Sequence, residues 1–283
     1  MVVFCSVAIV FSFLFFQRSI WDSKTRLSLV VPDGENVSVL VFDPFAGTLV
    51  RVLIPGNTEV LAAGQYGVWS IGSLWELGES EGVGGELLAN TVSKSLGLPV
   101  EHWASSGALL YSKGKISALV SPFRIRESSL GMVDRIRLAM FVWSLSSGGI
   151  YKIDLTETGY LVRTEISGGD SGFKPRSNVP ERLSALFSVP EVSDEALAIS
   201  VVNSTGDWGY SEHVSGVVDG VGGRVLAIAD EDAVPGDCNI FYEVDSVTVD
   251  VLSMVLGCET KMTEVAGNFD VQIRLGVDFL KRF

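Results

Sequence analysis

The sequence predicts an α/β protein in three parts: an apolar membrane anchor, a divergent α/β domain, and a small two-layer β-α-β-β-α-β domain. The run Val2–Phe16 is uncharged and apolar. Beyond it, β-rich runs alternate with segments of helical apolar spacing. A Gly- and Ser-rich stretch, Ser167–Asn178, separates two such sets of elements. We therefore place the anchor at residues 1–21, the first domain at 28–166, a linker with a short helix at 167–195, and the last domain at 196–283.

Composition excludes several classes of protein. The 283 residues are 47% hydrophobic and 19% charged, which is a globular balance. The formal net charge is −13 and no Lys/Arg run occurs, so nucleic acid is excluded as a partner. An acidic surface also disfavours contact with anionic lipid. Two histidines and three cysteines without a CxxC motif argue against a structural metal site.

The apolar run predicts a single-pass anchor in the cell membrane, with the following domains outside the cytoplasm. A spanning helix needs ~20 apolar residues, so Val2–Phe16 is slightly short. An extension to Trp21 would let Arg18 reach the interface, where Trp21 would also lie. No small-residue cleavage site follows, which argues against a cleaved signal peptide.

The first domain opens with a predicted hairpin. Val37–Phe42 and Thr48–Ile54 are β-rich, and Asp43–Gly47 between them has the Pro and Gly of a turn. Glu86–Leu96 has helical apolar spacing, and Gly97 is a suitable residue to end that helix.

The middle of the chain carries weaker signals. We predict a short strand at Pro99–Trp103, a helix at Met132–Leu145 and a short helix at Glu181–Phe187 after Pro180. Gly169–Gly172 reads GDSG, the sequence around the nucleophile of trypsin-like proteases. That chemistry also needs a histidine and a buried aspartate in a suitable context, so a loop is favoured here.

The last domain is predicted from strands and helices in the order β-α-β-β-α-β. The helices are ended by Gly222 and Gly257. In chain order we expect a strand at Ala198–Asn203, a helix at Trp208–Val221, strands at Arg224–Ala229 and Asn239–Val244, a helix at Val247–Leu256 and a strand at Asp270–Gly276. Cys238 and Cys258 flank adjacent elements, so we favour a disulfide between them over two free thiols.

Several segments resemble the LytR-CpsA-Psr (LCP) family. Val37–Thr58 resembles its strand–turn–strand, and Gly85–Trp103 resembles the helix and strand that follow. Ala198–Phe279 is similar to the LytR carboxyl-terminal domain. The Val-x-N-x-T/S-G opening of that domain appears at Val201–Gly206, and its D-V-x-I-x-L-G-x-D-F ending appears at Asp270–Phe279.

The resemblance implies a role outside the membrane in assembly of the bacterial envelope. LCP enzymes transfer a glycopolymer from a polyprenyl pyrophosphate carrier to peptidoglycan, with Mg²⁺ and arginines around the pyrophosphate. Cations are needed because the transition state and the leaving group are strongly anionic. The implied partners are therefore a cell-wall glycan or a polyprenyl-linked precursor.

The chain departs from the family where the chemistry occurs. The family's I-P-R-D-T corresponds to Ile54–Thr58 here, with Gly56 for the arginine and Asn57 for the aspartate. The family's Arg-Ser-Asp before the first strand has no counterpart in Gly34–Asn36. Its Arg-x-Gln-Arg helix is replaced at most by residues 134–137, Asp-Arg-Ile-Arg.

These departures favour a non-catalytic, LCP-like scaffold or binding protein of the cell wall, a pseudoenzyme without cofactor. The alternative is an active, divergent glycopolymer–peptidoglycan phosphotransferase that uses Mg²⁺ and other arginines. A third hypothesis is a structural protein whose last domain docks partners. A deep apolar pocket lined by arginines would favour the alternative, and a filled core would favour the others. The candidate ligand-binding residues are Arg51, Gly56, Asn57, Thr58, Arg124, Arg126 and Arg135.

Overall fold

A computed structural model describes residues 20–167, 169–265 and 267–283 of the chain. The strands are β1 (Leu27–Asp33), β2 (Asn36–Asp43), β3 (Thr48–Ile54), β4 (Glu59–Leu61), β5 (Val68–Ser70), β6 (His102–Trp103), β7 (Ile150–Asp154), β8 (Leu161–Glu165), β9 (Ser171–Pro175), β10 (Ala198–Asn203), β11 (Arg224–Asp230), β12 (Cys238–Tyr242), β13 (Glu259–Met262) and β14 (Val271–Leu275).

Eight α-helices accompany these strands in the described residues. They are α1 (Leu74–Ser80), α2 (Glu86–Leu96), α3 (Lys115–Arg124), α4 (Met132–Ser144), α5 (Glu181–Ser184), α6 (Pro190–Glu195), α7 (Tyr210–Gly220) and α8 (Val247–Leu256). Short 3₁₀ segments lie at Ile71–Ser73, Ser106–Lys113, Leu155–Glu157 and Val277–Lys281.

The first sheet has the order β6-β1-β2-β3-β7. Strands β1, β2 and β3 form an antiparallel meander, and β6 and β7 add in parallel at its two edges. The meander turns at Gly34 and Gly47, whose φ values of +64° and +61° are ones that glycine adopts without steric cost. The predicted hairpin is thus confirmed.

Both faces of this sheet are covered, which makes a three-layer α/β/α unit, called the first unit below. Val39 and Val41 of β2 pack with α2 on one face. Leu40 and Phe42 of the same strand pack with α3 and α4 on the other face. Burial on both sides explains the continuous apolar run in β2, which lacks the alternation of a half-exposed strand.

The predicted anchor lies almost entirely outside the described residues. Its last two residues, Ile20 and Trp21, belong to the α/β unit. Trp21 is buried, with its ring edge-on to that of Phe141 on α4, so the prediction that Trp21 lies at the membrane interface is wrong. No helix among the described residues is long and apolar enough to cross a membrane.

The second sheet has the order β11-β10-β14-β12-β13. Strand β10 lies parallel to both β11 and β14, while β12 is antiparallel to β14. Helices α7 and α8 pack with this sheet in a core of their own, and we call this part of the structure the second unit. The predicted β-α-β-β-α-β order is extended by one strand, because β13 adds in parallel beside β12.

The segment predicted as a linker is partly sheet. Strand β9 pairs antiparallel with β8, and the hairpin between them includes the GDSG stretch. Arg163 Nε donates to Ser171 Oγ at 3.0 Å across this hairpin. The Gly and Ser content of the stretch therefore marks a hairpin turn and an exposed strand. The predicted domain limits stay predictions.

Several elements were not expected from the sequence, and β1 and α3 are two of them. Strand β1 contains Pro32, which lowers strand propensity. The strand forms because it pairs along its whole length with β2. Helix α3 is the second, although Ile116, Leu119, Val120 and Phe123 have helical spacing.

Direct bonds join the two halves of the chain. Asn90 Nδ2 on α2 donates to the Arg282 carbonyl at 2.9 Å, and Val189 N donates to the Val221 carbonyl at 2.8 Å. Lys94 on α2 is buried, with its ammonium 4.5 Å from the Tyr210 ring centroid on α7. Burial lowers the pKa of Lys94 to about 8.

Cys238 and Cys258 form a disulfide with their Cα atoms 5.0 Å apart, as predicted. The bond ties the start of β12 to the residue that follows α8 and Gly257. When a cross-link stabilises by restricting the unfolded chain, a loop of this length contributes about 3 kcal/mol.

We expect replacement of the pair by alanine to lower the free energy of unfolding by about 3 kcal/mol in chemical denaturation, because the unfolded chain gains freedom. Cys5→Ser is the control and should leave the unfolding midpoint unchanged. Alkylation of three thiols in the denatured, non-reduced protein, instead of one, would contradict the pairing.

Candidate functional site

An open groove of about 1190 Å³ lies beside the first sheet. The β1–β2 turn supplies Pro32 and Gly34 to its wall. Helix α1 supplies Trp75 and Glu79. The remaining wall comes from the Ser106–Lys113 segment, from α3 and from the residues after it: Ser105, Ser106, Gly107, Leu110, Ile116, Ser117, Val120, Phe123, Arg124, Arg126 and Glu127. The groove lining therefore combines apolar side chains of helices with charged groups.

Two of the predicted ligand-binding residues line this groove. Arg124 ends α3 and Arg126 follows it, and both side chains are exposed. Within the described ranges, neither guanidinium forms an ion pair. Glu79 and Glu127 line the same groove, and Glu79 accepts a hydrogen bond from Trp75 Nε1 at 2.9 Å. The two arginines are thus available to an anionic ligand, and Glu127 opposes it.

Arg51 is not available in this way. It lies on β3, where its guanidinium forms an ion pair with Asp33, and its Nε donates to Ser38 Oγ at 3.1 Å. Ser38 Oγ in turn donates to Asp33 Oδ2 at 2.7 Å. This closed cluster neutralises the arginine within the sheet, so Arg51 stabilises the first three strands.

Arg135 holds a loop in place. Its Nε donates to the Leu130 carbonyl at 3.0 Å, and one terminal nitrogen donates to the Ile125 carbonyl at 3.2 Å. Burial lowers the pKa of Arg135 from its usual value. The side chain therefore fixes the segment between α3 and α4, and it does not itself line the groove.

Gly56 allows a close approach of backbone segments. A Cβ at this position would lie 1.7 Å from the Glu35 carbonyl oxygen, and one at Gly72 would lie 2.3 Å from the same atom. Gly72 N also donates to the Gly56 carbonyl at 3.0 Å. The Glu35 carbonyl thus fits between two glycines. The arginine that the resemblance places at position 56 has no room in this packing.

The neighbouring amide side chains bind backbone groups. Asn36 Oδ1 accepts from Gly56 N at 3.0 Å, and Asn57 Nδ2 donates to the Ser171 carbonyl at 3.0 Å. Buried Thr58 donates through Oγ1 to the Pro55 carbonyl at 2.7 Å. A carboxylate could not donate the bond that Asn57 makes, so these residues fix the β8–β9 hairpin and the turn after β3.

These residues do not fit the Mg²⁺ that the resemblance implies. Magnesium prefers carboxylate oxygens, whereas positions 36 and 57 offer amides already bonded to the backbone. In the part of the chain that the structure describes, no three His, Cys, Asp or Glu side chains converge in a way that could hold a metal ion.

Glu101 and its neighbour His102 have strongly shifted pKa values. Burial raises the pKa of Glu101 to about 7, although Ser28 N donates to its carboxylate at 3.3 Å. Burial lowers the pKa of His102 to about 4, against the opposing effect of Asp134. His102 Nδ1 lies 3.3 Å from Ser129 Oγ. Neither group lines the groove.

Sequence reasoning missed most of the groove wall. Trp75, Ile116, Val120 and Phe123 lie on helices α1 and α3, of which neither was predicted. The helical spacing of the apolar residues from Ile116 to Phe123, ended by Arg124 and followed by Arg126, was the available signal.

The chain matches no protein-family profile and no curated relative. Among solved structures it is similar to TagV of B. subtilis, with a TM-score of 0.41 and 12% identity over 59% of this chain and 95% of that one. It is also similar to B. subtilis TagT, with a TM-score of 0.40 and 15% identity over 60% and 91%.

A third similar structure is the LytR-CPS2A-psr family protein YwtF (TagT) with bound octaprenyl pyrophosphate lipid. The TM-score is 0.41, and the identity is 15% over 60% of this chain and 90% of that one. YwtF belongs to the family that Val37–Thr58 of this chain resembles. All three TM-scores lie below 0.5, so the function of this chain has to be inferred from its own residues.

We predict that Gly56→Ala lowers the free energy of unfolding by about 2 kcal/mol or more, because the new Cβ would displace the Glu35 carbonyl. The matched control is Gly216→Ala in α7, where a Cβ meets nothing within 4 Å. There the change should be neutral or stabilising by up to about 1 kcal/mol. Equal effects in urea unfolding would contradict the close packing at Gly56.

The raised pKa of Glu101 predicts a stability that depends on pH. The ordinary pKa of a glutamate is 4.5, and that of Glu101 in the folded protein is about 7. The stabilisation of the folded protein by neutral Glu101 is therefore fully present below about pH 4.5 and is lost as pH rises through about 7. Glu101→Gln should therefore raise the free energy of unfolding by about 1–3 kcal/mol at about pH 8, with little effect at about pH 5.

His102 is present in both the wild-type protein and the Glu101→Gln variant. Its titration therefore drops out of the difference between their free energies of unfolding. Glu157→Gln, at an exposed position, is the control and should give the same difference at both pH values. A gain from Glu101→Gln that is equally large at about pH 5 and about pH 8 would contradict the titration of this carboxyl in the folded protein.

Proposed function

We propose that this chain is a membrane-anchored, extracytoplasmic protein of the bacterial envelope. It binds a polyprenyl-linked precursor or a cell-wall glycan without transferring it. The observation that carries the proposal is the groove, where the exposed Arg124 and Arg126 adjoin the apolar side chains of α3. A pyrophosphate joined to a polyprenyl chain has the same two parts, an anionic head and an apolar tail.

Absence of transfer is inferred from the positions that LCP enzymes use. A pyrophosphate leaving group carries two or more negative charges, and its departure requires cations fixed in place. Here Gly56 is closed by the Glu35 carbonyl and Asn57 is bonded to Ser171. Arg51 is neutralised by Asp33. Loss of one such stabilising group typically lowers a rate by ~10²–10³-fold.

The alternative of an active, divergent phosphotransferase stays as the second candidate. The specific observation in its favour is that Arg124 and Arg126 have no ion-pair partner within the described ranges. Arg51 and Arg135, which this alternative also invokes, are both engaged within the fold.

Binding can be measured with the full chain in detergent and geranylgeranyl pyrophosphate as the probe. Arg124→Ala combined with Arg126→Ala should weaken binding at least ~10-fold, because each charged hydrogen bond contributes about 1.5–3 kcal/mol. Glu127→Gln should tighten binding, since it removes a negative charge beside the head group. Arg182→Ala, an exposed arginine on α5, is the control and should leave the affinity unchanged.

An assay with Mg²⁺ and a polyprenyl-pyrophosphate-linked glycan donor separates the two candidates. We expect product at the background level. Turnover well above background that disappears in Arg124→Ala would support the phosphotransferase instead. Equal affinity of the control and the double variant for the probe would remove the groove as the ligand site.

A further inference from the structure

Helix α3 presents apolar side chains to solvent. The opposite side of the helix is buried through Ala118, Ser121 and Pro122. The spacing of the exposed residues is i, i+3, i+4 and i+7, which places them on one side of a helix. These residues are Ile116, Leu119, Val120 and Phe123.

Helix α4, which packs against α3 in the same layer, does the same. It buries Leu138, Ala139 and Val142 against the sheet. Its exposed apolar residues are Ile136, Met140 and Trp143, at spacing i, i+4 and i+7. We call the exposed apolar residues of the two helices together the outer face. Monomeric proteins rarely expose large apolar patches without a partner.

The outer face is bordered by positive charge in an otherwise acidic chain. The segment from Lys113 to Arg137 carries six basic and two acidic residues, whereas the whole chain has a net charge of −13. One of the two acids, Asp134, is buried and accepts hydrogen bonds from the backbone. Lys113, Lys115, Arg124 and Arg126 are exposed at the ends of α3.

The amino-terminal segment joins the folded unit beside this face. Asp134 on α4 accepts hydrogen bonds from Ile20 N at 3.2 Å and from Trp21 N at 3.1 Å. The uncharged run Val2–Phe16 precedes this contact by a few residues in the sequence. Any membrane that holds the run therefore lies close to α4.

We infer that the outer face rests on the surface of an anionic lipid bilayer, with its apolar residues in the headgroup region and its lysines and arginines toward lipid phosphates. Helices with an apolar side and flanking basic residues bind bilayers in this way. Each basic residue near an anionic surface strengthens the attraction. The inference rests on the membrane anchoring proposed above.

The other possible occupants fit the observations less well. The apolar run of the same chain is uncharged, so it leaves the border of lysines and arginines unexplained. A second copy of the chain would bring two basic borders together, and like charges repel. An anionic bilayer satisfies the apolar residues and the charges together.

Contact with lipid would also place the groove at the bilayer surface. Ile116, Val120 and Phe123 belong to the outer face and line the groove as well. A lipid-linked ligand could therefore move from the bilayer to Arg124 and Arg126 without crossing water with its apolar tail exposed.

The test uses the full chain in vesicles of phosphatidylcholine with about one-third phosphatidylglycerol. Cys5→Ser leaves only the disulfide cysteines, and Met140→Cys or Phe123→Cys then adds one thiol for a polarity-sensitive fluorophore. These positions are 56% and 73% exposed. Lipids brominated near the headgroup should quench either label about twofold or more, since such faces lie within ~5–10 Å of the headgroup boundary.

The control label is Val244→Cys, which is 76% exposed after β12 in the second unit and should not be quenched. Lys113→Glu with Lys115→Glu should reduce the quenching at position 140. The matched pair Arg182→Glu with Arg224→Glu, exposed elsewhere, should not.

A label at position 140 that is shielded from water but not quenched would show that protein covers the face, and would overturn the inference. Equal quenching at positions 140 and 244 would overturn it too. If the chain does not stay with the vesicles at all, the proposed anchoring fails. If it stays but neither label is quenched, only the lipid contact fails.

Discussion

The burial of β2 on both faces is the constraint on which the first unit depends. Successive side chains of this strand alternate between the core with α2 and the core with α3 and α4. A sheet that is apolar on both sides cannot remain exposed on either, so it requires a helical layer on each. The layer of α3 and α4 exists for this reason, and it forms one wall of the groove.

That layer has two sides with different roles. Ala118 and Leu138 face the sheet and complete its core, while Phe123 and Met140 face outward. An outward apolar side adds nothing to the core, so its composition follows from what the protein contacts. The same two helices thus connect the stability of the fold to a candidate binding groove and a candidate lipid-contact surface.

Close backbone packing limits the chemistry just after the end of β3. The Glu35 carbonyl fits between Gly56 and Gly72 because neither has a Cβ. A side chain able to stabilise a leaving group cannot stand at position 56 while that packing exists. This packing supports the proposal that the protein holds a ligand through Arg124 and Arg126 without transferring it.

Elements with strong local signals were predictable from the sequence. The β2–β3 hairpin has its turn glycine, α2 and α8 have apolar periodicity and terminal glycines, and Cys238 and Cys258 flank neighbouring elements. Strand β9 has the local composition of a linker, because its short, polar sequence becomes a strand only by pairing with β8.

The sequence by itself determined the α/β class, most elements of the second unit and, at Gly56 and Asn57, a difference from the motif of the family it resembles. Only the tertiary structure decided which of the candidate arginines line the groove. Arg51 and Arg124 are the same residue type, but Arg51 meets Asp33 across the sheet, whereas Arg124 lies on the groove. The reason is that the partner of a charge comes from strands distant in sequence, and its position is set by packing of the whole sheet.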